Sequence, residues 1–189
     1  MSSILLTGPS AEALSLGEAK TFLRVEHGDD DQVITALIAA ARTHIEIQSQ
    51  LALITQKWRI VLDRWPHHGR IAVRPGPLQS LNAARVYDFS GNAHAIDTQG
   101  FVPDRGASVL AFVPWAVPAP GRAVGGIELD VSVGFGDAAA DMPESLRQAI
   151  RLLVSHWYDN RGIVAPDGQR AALPSMVASL ITPYRMLSI

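Results

Sequence analysis

A histidine, a tyrosine, an aspartate and an arginine crowd into six residues, His156-Trp157-Tyr158-Asp159-Asn160-Arg161. On a helix, residues three apart are neighbours, so His156 and Asp159 can touch, and such a pair is half of a proton relay. The pair has no nucleophile or metal ligand at a spacing that would complete it. On a helical wheel Leu146, Ala149, Ile150, Leu153 and Trp157 share one face, flanked by Val154 and Tyr158. That stripe predicts a core-facing helix, with His156 at its other edge and Asp159 nearly opposite the stripe. Leu152 falls on the polar side with Gln148 and Asp159, which makes it a candidate subunit contact.

Four other groups invite a chemical reading. GFGDAA at 134–139 fits the G-x-G-x-x-A variant of the dinucleotide fingerprint and follows a strand-like run. The fingerprint needs a helix to open at the glycines, so that its N-terminus meets the pyrophosphate. Here the helix-start signals come several residues later, at Asp141, and the expected structure is a glycine turn from sheet to helix. Asp29-Asp30-Asp31 matches no calcium loop and is expected to cap a helix. His67-His68 has only Asp63 nearby as a further ligand type and reads as a surface loop. His44 lies in an apolar stripe and reads as a hydrogen-bonded core histidine. No G-x-S-x-G, P-loop or H-E-x-x-H occurs. No catalytic, cofactor-binding or metal-ligating residue is therefore assigned, and an enzyme is not expected. Trp115, in the proline-stiffened VPWAVPAP, has two equal readings: an interface anchor, because a stiff loop loses little entropy on binding, or a ring folded back on the sheet.

Composition sets the frame for these residues. The chain has 189 residues, 48% of them hydrophobic, enough for one domain or two small ones with a real core. A net charge of −2 argues against a strongly basic nucleic-acid binder. Cysteine is absent, which excludes disulfides, zinc–thiolate sites and a cysteine nucleophile. The start, MSSILLTGPS, lacks the basic and long apolar segments of a signal peptide, and no apolar run is long enough to span a membrane. A soluble protein made inside the cell, without membrane partners, is expected.

Hydrophobic periodicity orders the elements. Ser15-Leu16-Gly17-Glu18 fits a capping box, and Leu16, Ala19, Phe22 and Leu23 continue a helix to about residue 25. Val33, Ile34, Leu37, Ile38, Ala41 and Ile45 predict a second helix to about residue 50, with little bulk at Ala39-Ala40-Ala41. From Lys57 the period becomes two: strands are predicted at 57–63, 70–73, 78–88, 108–113 and 127–133, with a turn at Ser90-Gly91-Asn92. Asp141-Met142-Pro143-Glu144 offers a cap for the third helix, and Ser175 to Thr182 a fourth, stopped by Pro183. GIVAPDGQRAALP between them reads as a mobile loop. The predicted class is α+β: a bundle of about four helices (1–56 plus 137–189) interrupted by an inserted antiparallel β unit (57–136).

Taken in order, SLGEAKTFLRV (15–25), DDQVITALIAAARTHIE (30–46), LALITQKW (51–58), IAVRPGPLQSL (71–81), VSVGFGD (131–137), MPESLRQAIRLLVSHWYDNR (142–161) and LPSMVASLITPYRM (173–186) resemble the head–tail connector (adaptor) proteins of tailed bacteriophages and gene transfer agents. One departure is Leu51-Ala52, near which the family pattern leads one to expect a glycine closing the second helix. The resemblance implies a structural protein of the virion without catalysis or cofactor. It would form a ring of typically twelve copies below the portal protein, extend the DNA channel without gripping DNA by sequence, and offer a platform to a tail-side stopper or tail-terminator protein. The family's habit of reaching the portal with a terminal arm points to Tyr184, Arg185, Met186 and Leu187, and Trp115 and Leu152 become candidates for contacts within the ring. Another virion joint component (a stopper or tail-completion protein) and a small-ligand module built on the strands are the alternatives.

Overall fold

The computed structural model describes residues 1–160 and 175–185. It is α+β, with four α-helices and two antiparallel sheets among the described residues. Two compact units divide the chain. One holds Met1–Ser10 and Thr55–Phe135, the other Ala11–Ile54 and Gly136–Ile189. The first ten residues, expected with the helices, thus belong to the strand unit, and the chain enters that unit twice.

The strand unit begins with β1 (Ser2–Thr7), which the sequence reading missed. Its apolar residues Ile4, Leu5 and Leu6 are consecutive rather than alternating, so no period-two signal marks them. The partner that makes it a strand is distant: Ser3 pairs with Ile60 and Leu5 with Trp58 on β2 (Gln56–Leu62). The other strands are β3 (Arg70–Ala72), β4 (Leu78–Tyr87), β5 (Ala93–Ile96), β6 (Phe101–Asp104), β7 (Val109–Phe112) and β8 (Ile127–Val133). The larger sheet has the order β1-β2-β8-β4-β5, the smaller β3-β7-β6. β8 shows the alternation most fully: Ile127, Leu129, Val131 and Val133 are buried, and the three residues between them are half-buried. The β4–β5 hairpin turns through Asp88–Asn92, with Gly91 at φ 84. β5 and β6 went unpredicted because AHAI and FVPD are short and carry a weak pattern. The smaller sheet closes over an aromatic cluster. Trp65 lies 5.0 Å from Phe112 and 5.9 Å from Phe101 between ring centres, and its Nε1 donates to the carbonyl of Pro118 at 2.8 Å. Ser108, buried with φ 53, donates its hydroxyl to the carbonyl of Val73 and accepts from the amide of Leu78.

In the helical unit, α1 (Leu16–Leu23) starts from the expected capping box. Ser15 Oγ accepts from the Glu18 amide, and Glu18 accepts from the Ser15 amide at 3.0 Å. α2 (Asp31–Ser49) buries Ile34, Ile38, Ala41 and Ile45 of the predicted stripe, while Leu37 is half-buried and Val33 is exposed on the stripe's far edge. It ends without glycine: Gln50 itself takes the left-handed conformation at φ 59, and its amide bonds the carbonyl of Glu46. α3 (Glu144–Asp159) buries Leu146, Ala149, Ile150, Leu153 and Val154, again as the wheel predicts. Its expected cap fails. The helix opens at Glu144, three residues after Asp141, whose carboxylate instead accepts from the Ala138 amide at 2.9 Å within a short 3-10 turn. α4 (Ser175–Ile181) seats Val177 and Ile181 in the core and passes into a 3-10 turn at Thr182–Tyr184 that contains Pro183. The segment expected as a mobile loop lies outside the described residues.

Candidate functional site

The cluster around His156 does not form a relay. His156 Nδ1 faces the Asn160 side chain at 3.4 Å, and its Nε2 is buried without a hydrogen-bond partner among the described residues. Asp159 accepts weakly from Ser155, also at 3.4 Å. Tyr158 reaches away from both and donates to the carboxylate of Asp30. Arg161 lies outside the described residues. His44, expected to be hydrogen-bonded, has its Nε2 buried without a partner and stands edge-on to Trp157, 5.8 Å between ring centres. These residues tie α2 to α3, and the packing of rings and stripes is their role here.

The three acids before α2 also differ from expectation. Asp30 is the N-cap residue but makes no side-chain capping bond; its carboxylate serves Tyr158. Asp31 pairs with Lys20 at 2.6 Å, and Asp29 stands in solvent near His27. The glycines of GFGDAA end a strand rather than begin a helix. Gly134 has φ 127 and donates to the carbonyl of Pro77, and a Cβ on Gly136 would come within 2.5 Å of the Asp141 side chain. His67 and His68 are exposed, and His68 Nδ1 accepts from the Arg70 amide. Among the described residues no group of three or more His, Asp or Glu could hold a metal ion. Among the described residues no helix is long and apolar enough to cross a membrane.

A polar cluster that the sequence reading missed lies on one face of the larger sheet. Register sets Arg59 opposite Asp130, and Arg85 opposite Glu128. Arg59 grips Asp130 with two bonds of 2.7 and 3.0 Å, and Arg85 reaches the same carboxylate at 2.7 Å. Glu128 lies 3.2 Å from Arg59. Arg122 stacks over the Tyr87 ring, 3.8 Å from its centre. The hydrogen bond from Arg59 holds the Asp130 carboxyl below its ordinary value. Burial, and then its bond to Glu128, push the Tyr87 hydroxyl up. Alternation alone shows that Glu128 and Asp130 share a face; it cannot show which arginines meet them, because those lie 71 and 45 residues away. Arg59, Arg85, Glu128 and Asp130 answer one another within the chain and brace the sheet, while Arg122 donates to the carbonyl of Gly125 at 2.7 Å.

The strand unit also exposes two large aromatic side chains. Trp115, in the 3-10 turn Pro114–Ala116, is 89% exposed and does not fold back on the sheet. Phe89, at the β4–β5 turn, is 93% exposed. Leu152 is half-buried on α3. Of the tail residues, Tyr184 accepts from Ser145 Oγ at 2.9 Å, and Arg185 donates to the carbonyl and side chain of Gln48 at 3.2 and 3.1 Å. Met186 and Leu187 lie outside the described residues.

Fold and topology together define an α+β protein with a helical unit and a strand unit. Residues 13–90 match the family model of the phage gp6-like head-tail connector proteins. Over the whole chain the fold is similar to a chain in the neck of an empty GTA particle computed with C6 symmetry: TM-score 0.80, 26% identity, covering 100% of this chain and 97% of that one. A chain in the neck of a native GTA particle computed with C12 symmetry gives TM-score 0.76, 26% identity and the same coverage. A chain of the virion of a native gene transfer agent shares the fold, with TM-score 0.80 at 24% identity. No curated protein matches significantly. The family resemblance read from the sequence therefore stands: residues 13–90 match the head–tail connector family, and the fold is similar over the whole chain to neck chains of gene transfer agent particles.

Proposed function

We propose that the chain is the adaptor of the head–tail joint: a ring of copies seated below the portal that continues the DNA channel and presents a platform to the tail. The observation that carries this reading is the fold match along the full length of the chain to neck proteins of particles treated with six- and twelve-fold symmetry. The charge supports it, since a net charge of −2 lacks the excess of lysine and arginine by which proteins hold phosphates. Twelve copies are the expected number. A stopper or tail terminator is the expected tail-side neighbour, and Trp115 is positioned by its exposure to anchor a contact within the ring or with that neighbour. The strand unit is a separable module that faces outward or toward the tail; a density map placing it in the channel wall would refute that placement.

Portal docking falls to the terminal arm from Tyr184 through Leu187. Removing everything after Leu173 would be a poor test, because it deletes the core residues Val177 and Ile181. Stopping the chain after Arg185 keeps α4 and its bonds to Ser145 and Gln48. That truncation is expected to leave a folded chain that no longer binds portal; unchanged portal binding would remove the arm from the interface. The reading as a whole is tested by deleting the gene and imaging particles. DNA-filled or leaking heads beside complete free tails are expected. Normal tailed particles would refute it. Tails halted one component later, on a neck that already carries an adaptor ring, would favour a stopper.

A further inference from the structure

The outward face of α2 differs from an ordinary surface helix. Such helices place charged residues toward water. Here Val33, Ala36, Ala40, Thr43, Ile47 and the C-cap Gln50 are exposed in a three–four spacing, the seam on which helices pack. The remaining exposed positions of the helix are glutamines and a threonine, so no exposed residue of the helix is charged; a cation, Arg185, is bonded at its edge, on Gln48. Val33 is 42% and Ile47 63% exposed. The three charged residues of α2 stand off this face, half-buried and paired. Asp31 holds Lys20, and Arg42 holds both Glu12 and Glu46 at 2.8 Å. Depletion of charge at the centre of a patch is the compositional mark of a protein interface.

A second face of the same unit has the complementary form. Gly17, Glu18, Thr21 and Phe22 of α1 and Arg151 of α3 line an open groove of about 470 Å³. A side chain added to Gly17 would meet nothing within 4 Å, so the groove is clear down to the backbone. Its two charges are already answered: Glu18 by Arg147 at 2.7 Å, Arg151 by Glu144. An uncharged ridge can enter without stranding a charge.

We propose that the α2 seam of one copy packs into the α1–α3 groove of the next copy, as the repeating contact of the ring. The inference rests on the adaptor reading above. A ring needs two different patches that fit each other, and these two are found on one unit. Size favours a second copy in an assembly over a free dimer. From Val33 to Ile47 the seam is about 21 Å long at 1.5 Å per residue. A strip about 10 Å wide, the diameter of a helix, then covers on the order of 200 Å², far below the roughly 800 Å² per partner of a stable pair. Copies held on a common platform can close such contacts by effective concentration, while free copies remain monomers.

The absence of native cysteine makes the test direct. Particles assembled from the double variant Ala40→Cys, Thr21→Cys are treated with a short thiol–thiol cross-linker and run on a denaturing gel. A ladder at multiples of this chain's mass is expected from the double variant and from neither single variant. Tailed particles without a ladder, an Ala40→Cys product joined to a different polypeptide, or a cross-link confined within one chain would each overturn the proposal. Independently, Ala40→Glu is expected to cut tailed particles by about tenfold or more, since it buries an unanswered charge at the seam. The purified variant should melt with the wild type, and Thr43→Lys should repeat the effect. Normal particle counts for both variants would refute the seam while leaving the adaptor reading intact. That reading fails separately, if deletion of the gene leaves heads and tails joined.

Discussion

The outer faces of β8 and α2 follow opposite rules. On the sheet, Asp130 and Glu128 stand among Arg59 and Arg85, four charged side chains held together across three strands. On the helix, none of the exposed residues is charged, and Val33 and Ile47 are left in water. The sheet face is complete within one chain. Its arginines bridge strands far apart in sequence, and covering it would mean desolvating paired ions for little gain. The helix face gains only when something apolar covers it. A surface that looks chemically rich can thus be purely structural, and one that looks bland can be where the protein does its work.

Each side of this contrast can be broken separately. The largest effect should come from beneath the sheet face: Leu129→Ala leaves a cavity at a fully buried position and is expected to lower stability by about 2–5 kcal/mol in a denaturant melt. Removing the charge from the face itself should cost less. Asp130→Asn leaves two arginines without their carboxylate and is expected to cost about 1–3 kcal/mol at pH 7. Asp130 is held below its ordinary pKa in the folded chain, chiefly by Arg59. Its stabilisation is therefore complete above the unfolded value near 4 and fades as pH falls below it. The gap between Asp130→Asn and wild type should close over that acid range. A gap that persists undiminished at low pH would mean that packing, not charge, is at stake.

In the helical unit, Ser15→Ala removes half of the capping box and should cost about 1 kcal/mol. Gln50→Gly should stabilise by up to about 1 kcal/mol, because it relieves a left-handed residue at the end of α2. The smallest effect sharpens the contrast most. Ile47→Ala should change the melt of the free chain by less than about 0.5 kcal/mol, since the side chain stands in water. A large loss of stability there would show that the face is already covered within one copy.

How much could be read without coordinates varied by element. The stripes of α2 and α3 and the alternation of β8 were legible, because each buries one face and its period records which residues those are. The box at Ser15 was legible because its two partners sit three residues apart. The cap at Asp141 misled, since a side chain bonding within its own turn offers the same local signature as a helix start. β1 was invisible, because its only reason to be a strand is a partner more than fifty residues away. The candidate surface behaved likewise. The sequence around Val33 to Ile47 shows two apolar rows, and nothing local says that Ile34, Ile38 and Ile45 take the core and the other row is left over.

The sequence by itself determined the class of the chain. Its composition excluded thiol chemistry, its periods set the helices and the better strands, and its ordered run of short motifs pointed to the connector family. Those are local properties, or properties of order along the chain, and survive without coordinates. Only the tertiary structure decided which charges answer one another, which end of the chain joins the sheet, and which face of α2 is uncovered. Each of those depends on pairing between residues tens of positions apart. A strand register or a helix contact is chosen by the burial of the whole unit, which no window of sequence contains.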